Sequence, residues 1–322
     1  MHLVERDLPP VGDGEVRVRV VVSGVNPTDW KSRSGDGSAL PEPQVPNQDG
    51  AGVVDAVGTG VSLTPGQRVW VWDAAYGRTN GTAQEFVTLP ERQVVALPDA
   101  ASFDLGASLG IPALTAHRAL TSFEHAPASL GAGSLDGRAV LVAGGAGAVG
   151  HAAIELARWA GATVFSTVSS PEKAELARLA GAHHVIDYRA SDVEQAVRTV
   201  RPDGVDIIVE VNPAANIRLD QSIVATNGTI AMYASDAGTE LALDVRTNMV
   251  KNVRFQFVLT YTTTEAEKSA AVQSVSAAVA DGALRVGSEF GLPLTRFSLG
   301  QTADAHAAVE HGAIGKVLID VV

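Results

Sequence analysis

Apolar and charged residues alternate in the first part of this 322-residue chain. From Gly14 to Val22 the valines alternate with Glu and Arg and then become continuous, which is typical of a strand with one wet face that enters a core. Further short strands are predicted at residues 50–58, 65–72 and 83–89, and the turns between them are rich in proline and glycine. This spacing indicates a β-rich, barrel-like domain.

The apolar positions take on a helical period from about Ala107, and strands then alternate with helices. Six strands are predicted, at residues 140–142, 163–168, 184–188, 205–211, 229–233 and 254–259. Helices are predicted at residues 151–160, 170–181, 191–200, 264–280 and 302–311, and a last strand at 316–322. The pattern predicts an α/β fold, a doubly wound parallel sheet inserted in the β-rich domain, with a ligand cleft between the two.

A glycine-rich turn follows the first strand of the predicted sheet. Gly145, Gly147 and Gly150 have the spacing G-x-G-x-x-G and lead directly into a helix. In a dinucleotide fold the first glycine permits the tight turn, the second lets the backbone approach a pyrophosphate, and the third lets the helix pack closely on the strand. The helix N-terminus favours the negative phosphates. The expected cofactor contacts in this turn are Gly145, Ala146, Gly147, Ala148, Val149 and Gly150.

The end of the second strand indicates which dinucleotide binds. An NAD-specific site would place an acid there, about 20 residues beyond the glycines. This chain instead has Ser169, Ser170 and Lys173, whose hydroxyls and cation can bind a phosphate that an acid would repel. The nearby acid, Glu172, is expected in the first turn of the next helix, where its negative charge interacts favourably with the helix dipole. The sequence therefore predicts NADPH; the alternative is a capped helix with a solvated lysine.

Composition excludes several other classes of function. The chain contains no cysteine, which excludes disulfides, thiolate nucleophiles and cysteine-ligated zinc. The net charge of −12 argues against a nucleic-acid partner, because phosphate backbones select basic surfaces. No apolar run approaches the ~18 residues that span a bilayer, and residues 1–9 lack the basic and then apolar layout of a signal peptide. We therefore expect a cytoplasmic protein that binds neither nucleic acid nor membrane.

The histidines show no recognisable metal-binding motif. His183 and His184 are adjacent and point to opposite faces of a predicted strand, and His306 and His311 are five residues apart on a predicted helix. The H-E-x-x-H pattern of zinc proteases does not occur. These patterns favour surface or core histidines over metal ligands.

Several stretches, in order along nearly the whole chain, resemble one family. They are Gly24–Asp29, Gly50–Gly58, Gly110–Leu120, Gly144–Gly150 and the closing Gly315–Ile319. The chain resembles the zinc-free medium-chain dehydrogenases/reductases, and among them the quinone oxidoreductases of the zeta-crystallin type. The resemblance implies a Rossmann NADP-binding domain, residues 114–257, inserted in a GroES-like catalytic domain, residues 1–113 plus 258–322.

The resemblance also implies a site without metal. Zinc-dependent relatives hold a catalytic zinc ion at two positions that match Asn26 and Gln48 in this chain. Neither residue is a good zinc ligand. Asn26 and Asp29 match a family N-x-x-D turn that lines the cleft beside the nicotinamide. Asn and Asp also form such turns because their side chains bond the nearby backbone. A purely structural turn therefore stays open as an alternative to a role beside the nicotinamide.

A tyrosine near Gly37 often covers the nicotinamide in this family, and it is missing here; Tyr76 or Trp30 is the candidate replacement. The expected catalytic residues are Asn26, Asp29 and Tyr76. The remaining expected cofactor contacts are Thr115, Ser169, Ser170, Lys173, Tyr188, Asn216, Tyr233, Ala234, Phe257, Val258, Leu259 and Lys316.

Three functions are compatible with these residues. The favoured one is an NADPH-dependent, zinc-independent quinone oxidoreductase, whose small-molecule substrate is a quinone or a similar conjugated carbonyl. The first alternative is an NADPH-dependent reductase of C=C bonds in enones or enoyl thioesters, and the second is a non-catalytic NADPH-binding sensor. The resemblance and an apolar edge strand at residues 254–259 also predict a homodimer.

Overall fold

A computed structural model describes residues 1–35, 43–235 and 238–322 of the protein. These residues form two compact units. The first unit comprises Met1–Ile111 and Pro293–Val322, and the second comprises Pro112–Leu292. The chain therefore enters the second unit once and returns to the first unit at its end.

The strands of the first unit form one sheet. They are β1 (Glu15–Val25), β2 (Asp49–Val57), β3 (Arg68–Val71), β4 (Phe86–Pro90), β5 (Val94–Ala96), β12 (Leu294–Ser298) and β13 (Lys316–Asp320). Their order is β12-β13-β1-β2-β3-β5, and β4 also pairs with β1. β1 is antiparallel to β2, β4 and β13. The last strand of the chain thus lies beside the first.

The alternating pattern of β1 follows the two faces of the strand. Val16, Val18 and Val20 are buried in the core of the first unit, whereas Arg17 forms an ion pair with Asp55 at an N–O distance of 2.6 Å. The four strands predicted in this region correspond to β1–β4. The sequence pattern does not predict β5 and β12, because β5 has three residues and β12 has no buried residue, so neither produces a hydrophobic period.

The strands of the second unit form a six-stranded sheet within the described part of the chain. They are β6 (Ala139–Ala143), β7 (Thr163–Val168), β8 (His184–Asp187), β9 (Val205–Glu210), β10 (Val224–Met232) and β11 (Arg254–Phe257). Their order is β11-β10-β9-β6-β7-β8, and every pairing is parallel. The predicted doubly wound parallel sheet is confirmed, with the direction of winding reversed between β6 and β9.

Ten α-helices occur in the described residues. They are α1 (Pro27–Ser34), α2 (Phe103–Gly106), α3 (Gly110–Leu120), α4 (Ala148–Trp159), α5 (Pro171–Leu179), α6 (Val193–Val200), α7 (Pro213–Ile223), α8 (Val245–Lys251), α9 (Glu265–Ala280) and α10 (Thr302–Glu310). The sequence pattern indicates a turn at α1 and makes no prediction for α7 and α8. Among these helices, none is long and apolar enough to cross a membrane.

The second unit extends beyond the domain boundary expected from the resemblance. The expected boundary lies at residues 257/258, whereas the second compact unit continues to Leu292. The reason is the packing around α9: Ser274 Oγ lies 3.0 Å from His117 Nε2 and accepts a 2.8 Å hydrogen bond from Leu130 N. Beyond the helix, Asp281 accepts a 2.9 Å hydrogen bond from Trp159 Nε1.

Candidate functional site

The glycine-rich turn connects β6 to α4 where the sheet order reverses. Crevices at such reversals, beyond the C-terminal ends of the strands, are where dinucleotides bind in doubly wound folds. Gly147 is the N-cap residue of α4, no side chain caps this end, and the first turn of α4 contains no acidic residue. The unpaired N–H groups and the helix dipole therefore favour an anion here.

The three glycines differ in what surrounds them. A Cβ on Gly145 would lie 2.0 Å from Ser166 Oγ, and a Cβ on Gly150 would lie 2.3 Å from the carbonyl oxygen of Gly144. A Cβ on Gly147 would meet its nearest neighbour at 3.5 Å, an ordinary contact. Packing of the turn thus requires the first and third glycines, while the second faces space that a ligand could occupy.

The residues predicted to hold a 2′-phosphate lie together after β7. Ser170 caps α5 by accepting a 3.3 Å hydrogen bond from Lys173 N, and Lys173 Nζ donates a 3.2 Å hydrogen bond to Ser169 Oγ. Tyr188 follows the neighbouring strand β8, and its N–H donates to the carbonyl of Val168 at 3.1 Å. The cluster therefore presents two hydroxyls, an ammonium and a half-exposed phenol at one corner of the sheet.

A buried acid that the sequence analysis does not identify lies at the end of β9. Glu210 is fully buried and accepts hydrogen bonds from Asn212 N and, at 3.0 Å, from Asn216 Nδ2. Burial raises the pKa of Glu210, and burial together with the charge of Glu210 raises the pKa of Asp220 on α7. Asn216 is a predicted cofactor contact, and its hydrogen bond to Glu210 orients its side chain.

A cavity of about 490 Å³ lies at the C-terminal ends of β10 and β11. On its wall is an ion pair between Arg118 of α3 and Glu267 of α9, with an N–O distance of 3.0 Å. Thr115 lies one turn before Arg118 on α3. Five of the predicted cofactor contacts line the cavity: Tyr233, Ala234, Phe257, Val258 and Leu259.

The predicted catalytic residue Asn26 lies in the first unit at the centre of a buried polar cluster. Its Oδ1 accepts a 2.7 Å hydrogen bond from Lys316 Nζ, and its Nδ2 donates a 2.7 Å hydrogen bond to Asp49 Oδ2. Because an ammonium only donates and a carboxylate only accepts, these two bonds fix the orientation of the amide. Lys316, predicted as a cofactor contact, therefore has Asn26 and Asp49 as its partners here.

The carboxylate of Asp49 is held by the start of α3. The Ile111 N–H donates to both carboxylate oxygens, at 2.9 and 3.0 Å. A Cβ on Gly110 would lie 2.1 Å from Asp49 Oδ1, which explains the glycine that begins this motif. Lys316 Nζ lies 3.8 Å from Asp49 Oδ2. Asp49 is thus a functional candidate that the sequence analysis missed; its only signal is an acid inside a run of small, buried strand residues.

The cluster contains a second buried acid, the predicted catalytic residue Asp29. Asp29 Oδ2 accepts a 2.7 Å hydrogen bond from Asn26 N, while Asp29 Oδ1 is buried without a hydrogen-bond partner. Burial, and then the charge of Asp49, raises the pKa of Asp29 to about 8. Burial also raises the pKa of Asp49 to about 6, against the lowering effect of Lys316, and burial lowers the pKa of Lys316.

The zinc-dependent relatives hold their catalytic zinc at the positions of Asn26 and Gln48, but these two residues do not fit a zinc ion. Both polar atoms of the Asn26 side chain are already bonded, and Gln48 Oε1 accepts a 3.0 Å hydrogen bond from Ala75 N. Carboxamides are poor zinc ligands. The described residues contain no group of three or more His, Asp or Glu side chains that could hold a metal ion.

The structure leaves the residue over the nicotinamide unassigned. Gly37, where relatives often have a tyrosine, lies outside the described residues. Tyr76, the candidate replacement, lies in the turn region after β3 and is 48% exposed. Trp30 lies on α1, next to Asp29.

Comparison with known proteins agrees with this architecture. Residues 12–99 match the family model of the alcohol dehydrogenase GroES-like domain, and residues 148–277 match that of the zinc-binding dehydrogenases. The chain is 30% identical over 319 residues to a quinone oxidoreductase of Pongo abelii, covering 97% of this chain and 91% of the relative.

Two solved structures share the fold and point to different cofactors. A mycobacterial protein complexed with NADPH superimposes with a TM-score of 0.80 at 29% identity, covering 98% of this chain and 94% of that one. An NAD-dependent alcohol dehydrogenase superimposes with a TM-score of 0.84 at 27% identity, covering 100% and 96%. The quinone oxidoreductase relative shows that this chain belongs to the quinone oxidoreductase family of the medium-chain dehydrogenases/reductases.

Proposed function

We propose that the protein is an NADPH-dependent quinone oxidoreductase that transfers hydride without a metal ion. The observation that carries the proposal is the pairing of an open, uncapped glycine turn at Gly147 with the hydroxyl and ammonium cluster of Ser169, Ser170 and Lys173. These two features suit a pyrophosphate and a 2′-phosphate, respectively. The curated quinone oxidoreductase supports the acceptor class.

The chain's own residues act by binding and positioning. When bound, the reduced nicotinamide supplies the hydride. The backbone around Gly147 holds the phosphates, and Ser169 and Lys173 hold the 2′-phosphate. Five predicted cofactor contacts line the cavity beyond β10 and β11, which supports it as the place for the nicotinamide end of the cofactor. Asn26, held by Lys316 and Asp49, is the residue proposed to position the acceptor. A quinone needs no dedicated acid, because its reduced oxygen can take a proton from solvent.

Replacing Lys173 with alanine tests the cofactor preference. We expect the KM for NADPH to rise about tenfold or more, because a charge-assisted hydrogen bond to the phosphate is lost, while the KM for NADH changes less than twofold. Arg178→Ala, at the other end of the same helix, is the matched control and should leave both constants unchanged. Equal losses for NADPH and NADH would place Lys173 away from the phosphate.

Reduction of an activated C=C bond is the second candidate, and the exposed phenol of Tyr76 is the observation that favours it. An enone or enoyl thioester needs a proton at its α-carbon, which a positioned phenol can donate. Under our proposal Tyr76→Phe leaves kcat for quinones unchanged. A fall of about 10²-fold in an enone reductase activity, the usual size of a general-acid contribution, would favour the second candidate instead.

We also propose a homodimer that forms through the edge of the second unit's sheet. β11 is an edge strand, and Phe257, its last residue, is 68% exposed. Helix α8, which packs on β10, exposes Val245, Met249 and Val250. Edge strands with apolar neighbours are usually covered in native proteins. Sedimentation as a monomer at micromolar concentration would contradict this proposal. The cytoplasmic location stays a prediction from sequence.

A further inference from the structure

The buried cluster around Asn26 contains more carboxyl groups than cations. Asp29, Asp49 and Lys316 are each at most 3% exposed, and Asp73, whose charge acts on Asp49, is also buried. Arg78 carries a positive charge that interacts with Asp73. His306 of α10, which packs against α1, adds no charge, because burial lowers its pKa to about 4. With every acid ionised, the cluster would carry a net negative charge in a medium that solvates charge poorly.

The geometry shows which acid can keep a proton. Asp49 receives hydrogen bonds from Asn26 and Ile111 and lies 3.8 Å from the ammonium of Lys316, so its negative charge is compensated. Asp29 Oδ2 accepts a hydrogen bond from Asn26 N, while Oδ1 is buried without a hydrogen bond of ordinary geometry. Burial raises the pKa of Asp29, and the charge of Lys316 and the backbone of Gln48 lower it only in part. An ionised Asp29 would therefore carry a charge that is compensated less well than that of Asp49, whereas a neutral carboxyl group carries less charge there.

We propose that Asp29 holds this proton and that Asp29 and Lys316 are positioning residues for Asn26. With Asp29 neutral, Lys316 stays bonded to Asn26 Oδ1, and the amide keeps the orientation that its partners impose. Loss of the proton adds a second negative charge that competes for Lys316, which loosens Asn26. Asp29 needs no contact with the substrate for this role. The kinetic consequence rests on the proposed function, whereas the location of the proton does not.

The pH profile of Asp29→Asn tests the kinetic consequence. Asparagine keeps the shape and the neutrality of a protonated aspartate, so the rate of the variant with a quinone, expressed relative to its own rate at pH 6.5, should stay constant as the pH rises through 8. The wild-type rate should fall above pH 8, near the pKa of about 8 that burial gives Asp29, and the variant should lack this fall. Asp55→Asn, which removes an exposed acid of the same unit, is the control and should keep the wild-type profile.

Infrared spectroscopy tests the proton without any turnover. The wild type should show a buried protonated carboxyl band at pH 6.5 that titrates near pH 8 and is absent from Asp29→Asn. A wild type without that band, or a fall above pH 8 that persists in the folded variant, would overturn the proposal. Glu210 and Asp220 are also buried acids with raised pKa values, so Glu210→Gln and Asp220→Asn should keep the band. If no acceptor is reduced, or Asp29→Asn does not fold, loss of the band from either of these two variants would overturn the proposal.

Discussion

Replacing Gly150 with alanine is expected to destabilise the second unit by about 1–3 kcal/mol, the usual cost of overpacking. Two effects oppose each other, since alanine in a helix is favoured over glycine by about 0.5–1 kcal/mol. The added Cβ would lie 2.3 Å from the carbonyl oxygen of Gly144 and 2.9 Å from the Cα of Gly145. Both are backbone atoms that cannot rotate away, so the clash outweighs the gain in helix propensity. Thermal unfolding in the absence of cofactor measures the effect.

Gly147→Ala is the matched variant in the same turn. Its Cβ has ordinary contacts, so the cofactor-free protein should unfold at the wild-type temperature. The methyl group would nevertheless occupy the space expected for the pyrophosphate, and we expect affinity for NADPH to fall at least tenfold by calorimetry, about 1.4 kcal/mol. If Gly147→Ala bound NADPH normally, the phosphates would not lie at this turn.

Lys316→Met is expected to cost about 3–5 kcal/mol in the free energy of unfolding at neutral pH, the usual cost of removing one partner of a buried ion pair. Methionine has a similar length and leaves little empty space, so the loss comes mainly from the uncompensated carboxylate of Asp49. Chemical denaturation measures it. The deficit should be largest above pH 6 and smaller toward pH 4, because Asp49, with a pKa of about 6, is then protonated and needs no cation.

The double variant Lys316→Met with Asp49→Asn separates charge from packing. Because the asparagine carries no charge, we expect the double variant to recover much of the stability that Lys316→Met loses. Asp55→Asn in the Lys316→Met background serves as the control, since Asp55 is a partly exposed acid of the same unit. Equal stability of the single and double variants would mean that lost packing, not charge, causes the deficit.

The second unit could be predicted from the sequence because its elements are periodic and locally encoded. β6 is a continuous buried apolar run, and the cap and proline of α5 at Ser170 and Pro171 are visible in the sequence. The sequence pattern does not predict helix α7, because its apolar residues are few and Asn and Asp interrupt them. In the folded protein, packing on β9 and β10 buries one face of this helix. Tertiary contacts, not propensity, decide such elements.

The site was only partly predictable for a different reason. Asn26 and Lys316 are 290 positions apart and meet because β13 pairs with β1, a long-range pairing that no local pattern encodes. The resemblance points to both residues, and the role of Lys316 as a cofactor contact stays a prediction. Asp49 and Glu210 carry no motif at all; they are recognisable only once burial and hydrogen bonds are known. Burial of titratable groups is a property of the folded protein, not of the sequence window.

The most direct test of the account is the rate of NADPH oxidation by a simple quinone, followed by nicotinamide absorbance with purified protein treated with a metal chelator. We predict that NADPH is consumed in proportion to the hydroquinone formed, at the same rate with and without chelator, and with a lower KM than NADH. Absence of NADPH consumption with every quinone tested, or a rate lost on chelation and restored by zinc, would contradict it.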